Sequence, residues 1–161
     1  MNIVVISDTH GNYPAMIRAM EMIQEVDAII HLGDFCDDLL PLEATLSRPF
    51  IRVPGNCDIG VRLPRELLLR FGDIPFLLCH GDAYGVKGGV GRLTDHARRV
   101  GAQVVLFGHT HTPLIQVSHG LLLVNPGTLE KESPSPTFAL ITIQDGAATA
   151  RITPLPPIPL S

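Results

Sequence analysis

Short, nearly unbroken apolar runs recur along the chain at residues 3–6, 28–32, 50–53, 74–79, 104–107, 121–124 and 138–143. Runs of this length, rich in Ile, Leu and Val and lacking polar alternation, predict strands buried on both faces of a sheet. Between the first two runs the period changes. Ala15, Met16, Ala19, Met20 and Ile23 share one face of a helix predicted over 14–25, with Pro14 in its first turn. Asp37 and Asp38 predict the cap of a second helix over 39–46. A third, over 90–100, turns Leu93, Ala97 and Val100 inward.

The second half reads as hairpins. Gly72-Asp73 separates residues 65–71 from 74–79, His119-Gly120 separates 112–118 from 121–124, and Asp145-Gly146 separates 138–143 from 147–152. Strand–helix–strand units followed by hairpins, with no internal repeat and no break in composition, predict one α/β domain over residues 1–161. Its sheet is mixed, or split into two stacked sheets, with helices outside. The tail over 153–161 is apolar but broken by prolines. It is expected to run extended, packed on its own domain or on a neighbour in a homo-oligomer.

A chain of 161 residues can bury close to about 70% of its unfolded surface, so it needs no disulfide to fold. Hydrophobic residues make up 45% and charged ones 17%, which excludes a disordered chain. The net charge of −4, with no basic cluster beyond Arg98-Arg99, argues against binding duplex nucleic acid. Three cysteines without a Cys-x-x-Cys motif suit a reducing compartment, and the acid-interrupted start is no signal peptide. The charge-free stretch between Arg99 and Glu130 is broken by Gly108, His109, His111 and Pro113, so it is no membrane span. The expected location is the cytoplasm.

The chemistry is concentrated just after each apolar run. Ser7-Asp8-Thr9-His10 succeeds the first, Gly33-Asp34 the second and Pro54-Gly55-Asn56-Cys57-Asp58 the third. Residues 74–79 lead to His80-Gly81-Asp82, and 104–107 to Gly108-His109-Thr110-His111. In open α/β sheets ligands bind at the carboxyl ends of the strands, so these side chains should converge on one rim. Asp8, His10, Asp34, Asn56, His80, His109 and His111 offer more nitrogen and oxygen donors than one tetrahedral zinc needs. They suit two divalent ions sharing a carboxylate, with Asp34 central enough to bridge. Such a pair, with a bridging hydroxide as nucleophile, remains a cationic receptor for phosphate and holds attacking and leaving oxygens in line.

In this order these motifs resemble the calcineurin-like metallophosphoesterases, and more narrowly their small bacterial and archaeal phosphodiesterase branch, which includes the retromer scaffold subunit. The resemblance extends through Asn125-Pro126-Gly127-Thr128, similar to that branch's Asn-Pro-Gly-Ser turn. It implies a four-layer αββα sandwich of two mixed β-sheets flanked by helices, with the metal site at the strand ends. It implies that Asp8, His10, Asp34 and His111 hold one metal, and that Asp34, Asn56, His80 and His109 hold the other. The implied activity is phosphodiester hydrolysis on a small or nucleotide-like substrate, with Asp34, Asn56, His80 and Cys57 at the reaction. Manganese is the usual ion, and iron, nickel or zinc can substitute.

Two positions depart from the wider pattern. Cys57 stands where many relatives carry the His that protonates the leaving oxygen, and a thiol is a poor donor. Diesters with acidic leaving groups should therefore turn over well and alkyl ones slowly. Residues 130–133 (Glu-Lys-Glu-Ser) also depart from the branch, which often has a basic residue directly after the Asn-Pro-Gly turn. His31 reads as a core histidine and His96 as a polar-face residue. Asp58 and Asp82 read either as partners fixing imidazole tautomers or as loop caps. The competing functions are a non-catalytic scaffold of the same fold and a phosphomonoesterase. Loops 59–64, 83–91 and 130–136 carry no motif and are the expected specificity elements.

Overall fold

The structure is a computed structural model describing residues 1–157. Two mixed sheets of five strands each stack face to face. The first runs in the order β10 (Ala147–Pro154), β9 (Thr137–Gln144), β1 (Asn2–Ile6), β2 (Ala28–His31), β3 (Phe50–Arg52). The second runs β4 (Glu66–Phe71), β5 (Ile74–Cys79), β6 (Val104–Leu106), β8 (Leu121–Asn125), β7 (Leu114–Ser118). β1, β2 and β3 are mutually parallel, as are β5, β6 and β8, and antiparallel strands close every outer edge but that of β3.

Strand alternation explains the layering. Ile3 and Val5 point into the space between the sheets, with Ile30, Phe76, Leu78 and Leu106. Val4 and Ile6 point the other way, onto Ala15, Met16 and Ala19 of α1 (Tyr13–Glu21). On the far side Leu77 and Val105 meet Leu93 and Ala97 of α3 (Gly91–Arg99). Each Val, Leu, Ile, Met or Phe among them, buried on its own face, contributes about 1.5–3 kcal/mol. The layers are thus helix, sheet, sheet, helix, as expected.

Two helical expectations are corrected. α1 ends at Glu21, not residue 25, because the chain must already be reversing to lay Asp27 against Asn2. The Asp27 N–H donates to the Asn2 carbonyl at 2.8 Å, and its carboxylate accepts the Asn2 N–H at 2.6 Å. The second helix is one 3-10 turn, Cys36–Leu39, followed by the four-residue α2 (Leu40–Glu43). Neither aspartate caps it. Asp38 is buried on Thr9 and Gly11, and Asp37 pairs with Arg52.

The hairpins form where the turn pairs stand. His119-Gly120 and Asp145-Gly146 take positive φ at both positions, the arrangement that matches strand twist in a two-residue loop. The tail packs on its own fold as far as it is described. Thr153 and Pro154 finish β10, and Leu155 is buried beside α1. Residues 158–161 of the expected tail lie outside the described residues.

Candidate metal centre

All six parallel strands end on one rim, and the polar residues after them meet there. Tight turns deliver them: Asp8, His10, Asp34, His109 and His111 all have φ between 45° and 68°. Such strain in non-glycine residues persists only where the surroundings fix it, and it gathers at functional sites. Gly33 and Gly108 allow the loops to touch. A Cβ on Gly33 would stand 2.5 Å from the Gly55 nitrogen, and one on Gly108 2.0 Å from Ser7 Oγ.

Two groups with metal-ligand spacing result: Asp8 with His10 and His111, and Asp34 with His80 and His109. In the first, His111 Nε2 lies 3.0 Å from Asp8 Oδ1. In the second, His80 Nε2 lies 3.1 Å from His109 Nδ1 and 3.5 Å from Asp34 Oδ2. The groups share an edge, since Asp34 Oδ2 is also 4.0 Å from His10 Nε2. His80 Nδ1 donates to the Leu32 carbonyl at 2.7 Å, which leaves Nε2 as a lone pair aimed at the group.

The donors fit a cation. Asp8 Oδ1 and His10 Nε2 are buried atoms without a hydrogen-bond partner among the described residues. A buried carboxylate oxygen and a buried imidazole nitrogen left unpaired cost about 1–3 kcal/mol each, unless a ligand satisfies them. Charge says the same. Burial raises the Asp8 and Asp34 carboxyls, but histidines on both, with the Cys57 N–H on Asp34, hold them below the ordinary value. The Asp8 contact pushes His111 up to about 9, against burial and with help from Glu130. Burial pulls His80 down, and Asp34 more than reverses it. Burial and the neighbouring His80 lower His109. The carboxylates thus stay ionised and draw positive charge toward them, as a cation site does.

Asn56 and Cys57 stand exposed on the loop after β3. The Cys57 N–H donates to Asp34 Oδ1 at 2.8 Å, and the Asn56 amide contacts Cys57 Sγ at 3.5 Å. Burial and Asp34 raise the Cys57 thiol to about 11. Beyond them the loop opens into a cleft of about 540 Å3 lined by Leu40, Arg52, Ile59 and Arg62.

Other expectations resolve here. Asp58 fixes no imidazole: it accepts the N–H groups of Asp34, Cys36 and Gly55 and staples two loops together. Asp82 pairs with Arg65 at 2.6 Å. His31 is fully buried, but it also joins Thr9 to Gly33 and so braces the Asp8 and Asp34 loops. His96 lies off the buried face of α3, where its Nε2 meets Glu66 at 2.9 Å. Sequence reading names Thr128 only in its turn and misses that its hydroxyl donates to the Asp8 carbonyl at 2.9 Å, and it misses that Glu130 lies 2.9 Å from His111 Nδ1. No local signal marks either contact.

A sandwich of two mixed sheets with paired Asp and His groups at its strand ends is the architecture of a metallophosphoesterase. The chain belongs to the calcineurin-like phosphoesterase superfamily, whose domain description matches residues 1–146. It is 34% identical to the probable metallophosphoesterase YsnB of Bacillus subtilis over 94% of this chain and 89% of that one. It is 28% identical to the phosphodiesterase MJ0936 of Methanocaldococcus jannaschii, covering 79% and 83%. Among solved structures, a Vps29 variant from Entamoeba histolytica superposes with TM-score 0.77 at 21% identity, covering 96% and 99%. No helix among the described residues is long and apolar enough to cross a membrane.

Proposed function

We propose that the chain is a cytoplasmic phosphodiesterase that uses two divalent ions, manganese foremost, to hydrolyse small or nucleotide-like diesters. Asp8, His10 and His111 would hold one ion and His80, His109 and Asn56 the other, with Asp34 shared. Bound there, the ions supply Lewis-acid activation of water and of the phosphoryl group. The carrying observation is the unpaired, buried Asp8 Oδ1 and His10 Nε2 within a ligand-spaced group that adjoins a second one.

The chain's own residues supply position. Cys57 N–H and Asp58 orient Asp34 through its own loop, and Leu32 orients His80. Asn56 would ligate through its side-chain oxygen, its amide nitrogen being the atom that contacts Cys57 Sγ. In the metal-free protein the Cys57 thiol is raised to about 11 and is protonated at neutral pH. The cleft beyond it suits the organic arm of a diester. Preference for diesters over monoesters draws support from the relative named as a phosphodiesterase.

The test is to strip metal with chelator, then assay bis(p-nitrophenyl) phosphate and p-nitrophenyl phosphate with and without manganese. Restored hydrolysis favouring the diester supports the reading. Silence with every divalent ion would move the protein to a non-catalytic scaffold.

A further inference from the structure

We infer that Glu130 is a positioning residue for the ion held by Asp8, His10 and His111, acting by taking the Nδ1–H of His111. The inference rests on the two-metal reading above. The His111 ring is spanned by two carboxylates, with Glu130 Oε1 2.9 Å from Nδ1 and Asp8 Oδ1 3.0 Å from Nε2. A neutral imidazole carries one N–H. With an ion bound, Glu130 would keep that N–H, and Nε2 would be left as a lone pair directed to the ion beside Asp8 Oδ1.

Glu130 is itself held in place. Its N–H donates to Thr128 Oγ1 at 3.0 Å, and that hydroxyl donates to the Asp8 carbonyl at 2.9 Å. Between them Leu129 is fully buried, and its carbonyl accepts the Asn12 amide at 2.8 Å. One short segment therefore fixes both Asp8 and the anchor of His111. His111 needs that anchor, since its side chain is 33% exposed on a strained turn and packing does not lock the ring. His80 has only a backbone carbonyl in the same role. A carboxylate there also makes His111 the more basic ligand.

Equilibrium dialysis of metal-free protein against manganese, with bound metal counted by mass spectrometry, tests this. Wild type should take up two ions. Glu130→Ala should weaken one of them by about 10–100-fold and leave the other unchanged. Glu130→Gln keeps an acceptor without the charge and should fall between. Melting curves in chelator report whether each variant folds. An unchanged isotherm for Glu130→Ala overturns the inference, and so does equal weakening of both ions, which marks a merely structural role. Should the Ala variant fail to fold, an unchanged Gln isotherm is equally fatal. Fewer than two ions in wild type would instead bring down the two-metal reading, and this inference with it.

Discussion

The backbone N–H of His109 donates to Asp8 Oδ2 at 3.2 Å, across 101 residues of sequence. The bond ties the end of β6 in one sheet to the end of β1 in the other. It also divides the labour of the Asp8 carboxylate. Oδ2 is taken by the His109 N–H and the Ser7 hydroxyl, and Oδ1 is left facing His111. The sandwich and the metal centre are thus held by one side chain.

That junction tolerates no added atom. A Cβ on Gly108 would stand 2.0 Å from Ser7 Oγ and 3.0 Å from Asp8 Oδ2. Gly108→Ala should destabilise the protein by about 1–3 kcal/mol, as overpacking does, and reduce metal uptake as well. Gly88→Ala, with nothing within 4 Å, should change urea stability by less than about 0.5 kcal/mol. Equal effects at the two glycines would refute the crowding argument.

Asp34 should separate folding from metal binding. Its Oδ1 accepts the Cys57 N–H at 2.8 Å, a bond that an amide oxygen can keep, whereas Oδ2 faces His10 and His80. Asp34→Asn should therefore melt near the wild type in chelator yet lose both manganese ions and diester hydrolysis. Retention of either ion in metal counting would contradict a shared carboxylate.

Much of this is legible in the sequence because strands signal themselves locally and because each ligand comes directly after a strand. Apolar runs mark the strand positions, and Asp8, Asp34, His80 and His109 come within a few residues of their ends. The contacts that stay hidden depend on partners distant in sequence. Glu130 reads only as a departure from the branch's pattern, because its meeting with His111 needs β8 seated beside β6. Asp38 reads as a helix cap because nothing local shows that Thr9 and Gly11 outcompete the helix for its carboxylate. Asp58 reads equally as either of two roles for the same reason, since its three N–H partners sit on two loops.

Cys57 bears on the choice of substrate. A general acid contributes about 10²–10⁴-fold, and partial desolvation with the Asp34 carboxylate beside it raises this exposed thiol to about 11 in the metal-free protein, a poor match for donating a proton near neutrality. Cys57→Ala should slow bis(p-nitrophenyl) phosphate hydrolysis by less than about tenfold, since that leaving group needs no proton. Alkyl diesters should be slow substrates of the wild type itself. Comparable kcat values for aryl and alkyl esters would show that another residue donates the proton.

His31 should shape stability in acid. Thr9 donates its hydroxyl proton to Asp38, so His31 donates from Nε2 to Thr9 Oγ1 at 3.0 Å, and its Nδ1 accepts the Gly33 N–H at 3.1 Å. Both ring nitrogens are used by a neutral ring. Burial lowers its pKa from 6.5 to about 4, with Asp8, Asp38 and Asp58 opposing. Between those values the unfolded chain takes up a proton that the folded one refuses. The stabilisation is therefore complete above pH 6.5 and is lost as pH falls toward 4, by about 1–3 kcal/mol. His80 and His111, whose pKa values are raised, contribute stability that is complete below 6.5 and lost as pH rises, so their slope lies above this window. Asp8 and Asp34, whose values are lowered from 3.8, act below it, while His109, lowered from 6.5, adds to the loss inside it. Urea titrations of metal-free protein from pH 7 to 4.5 should show a steeper loss in wild type than in His31→Gln. Parallel slopes would assign the acid limb to other groups.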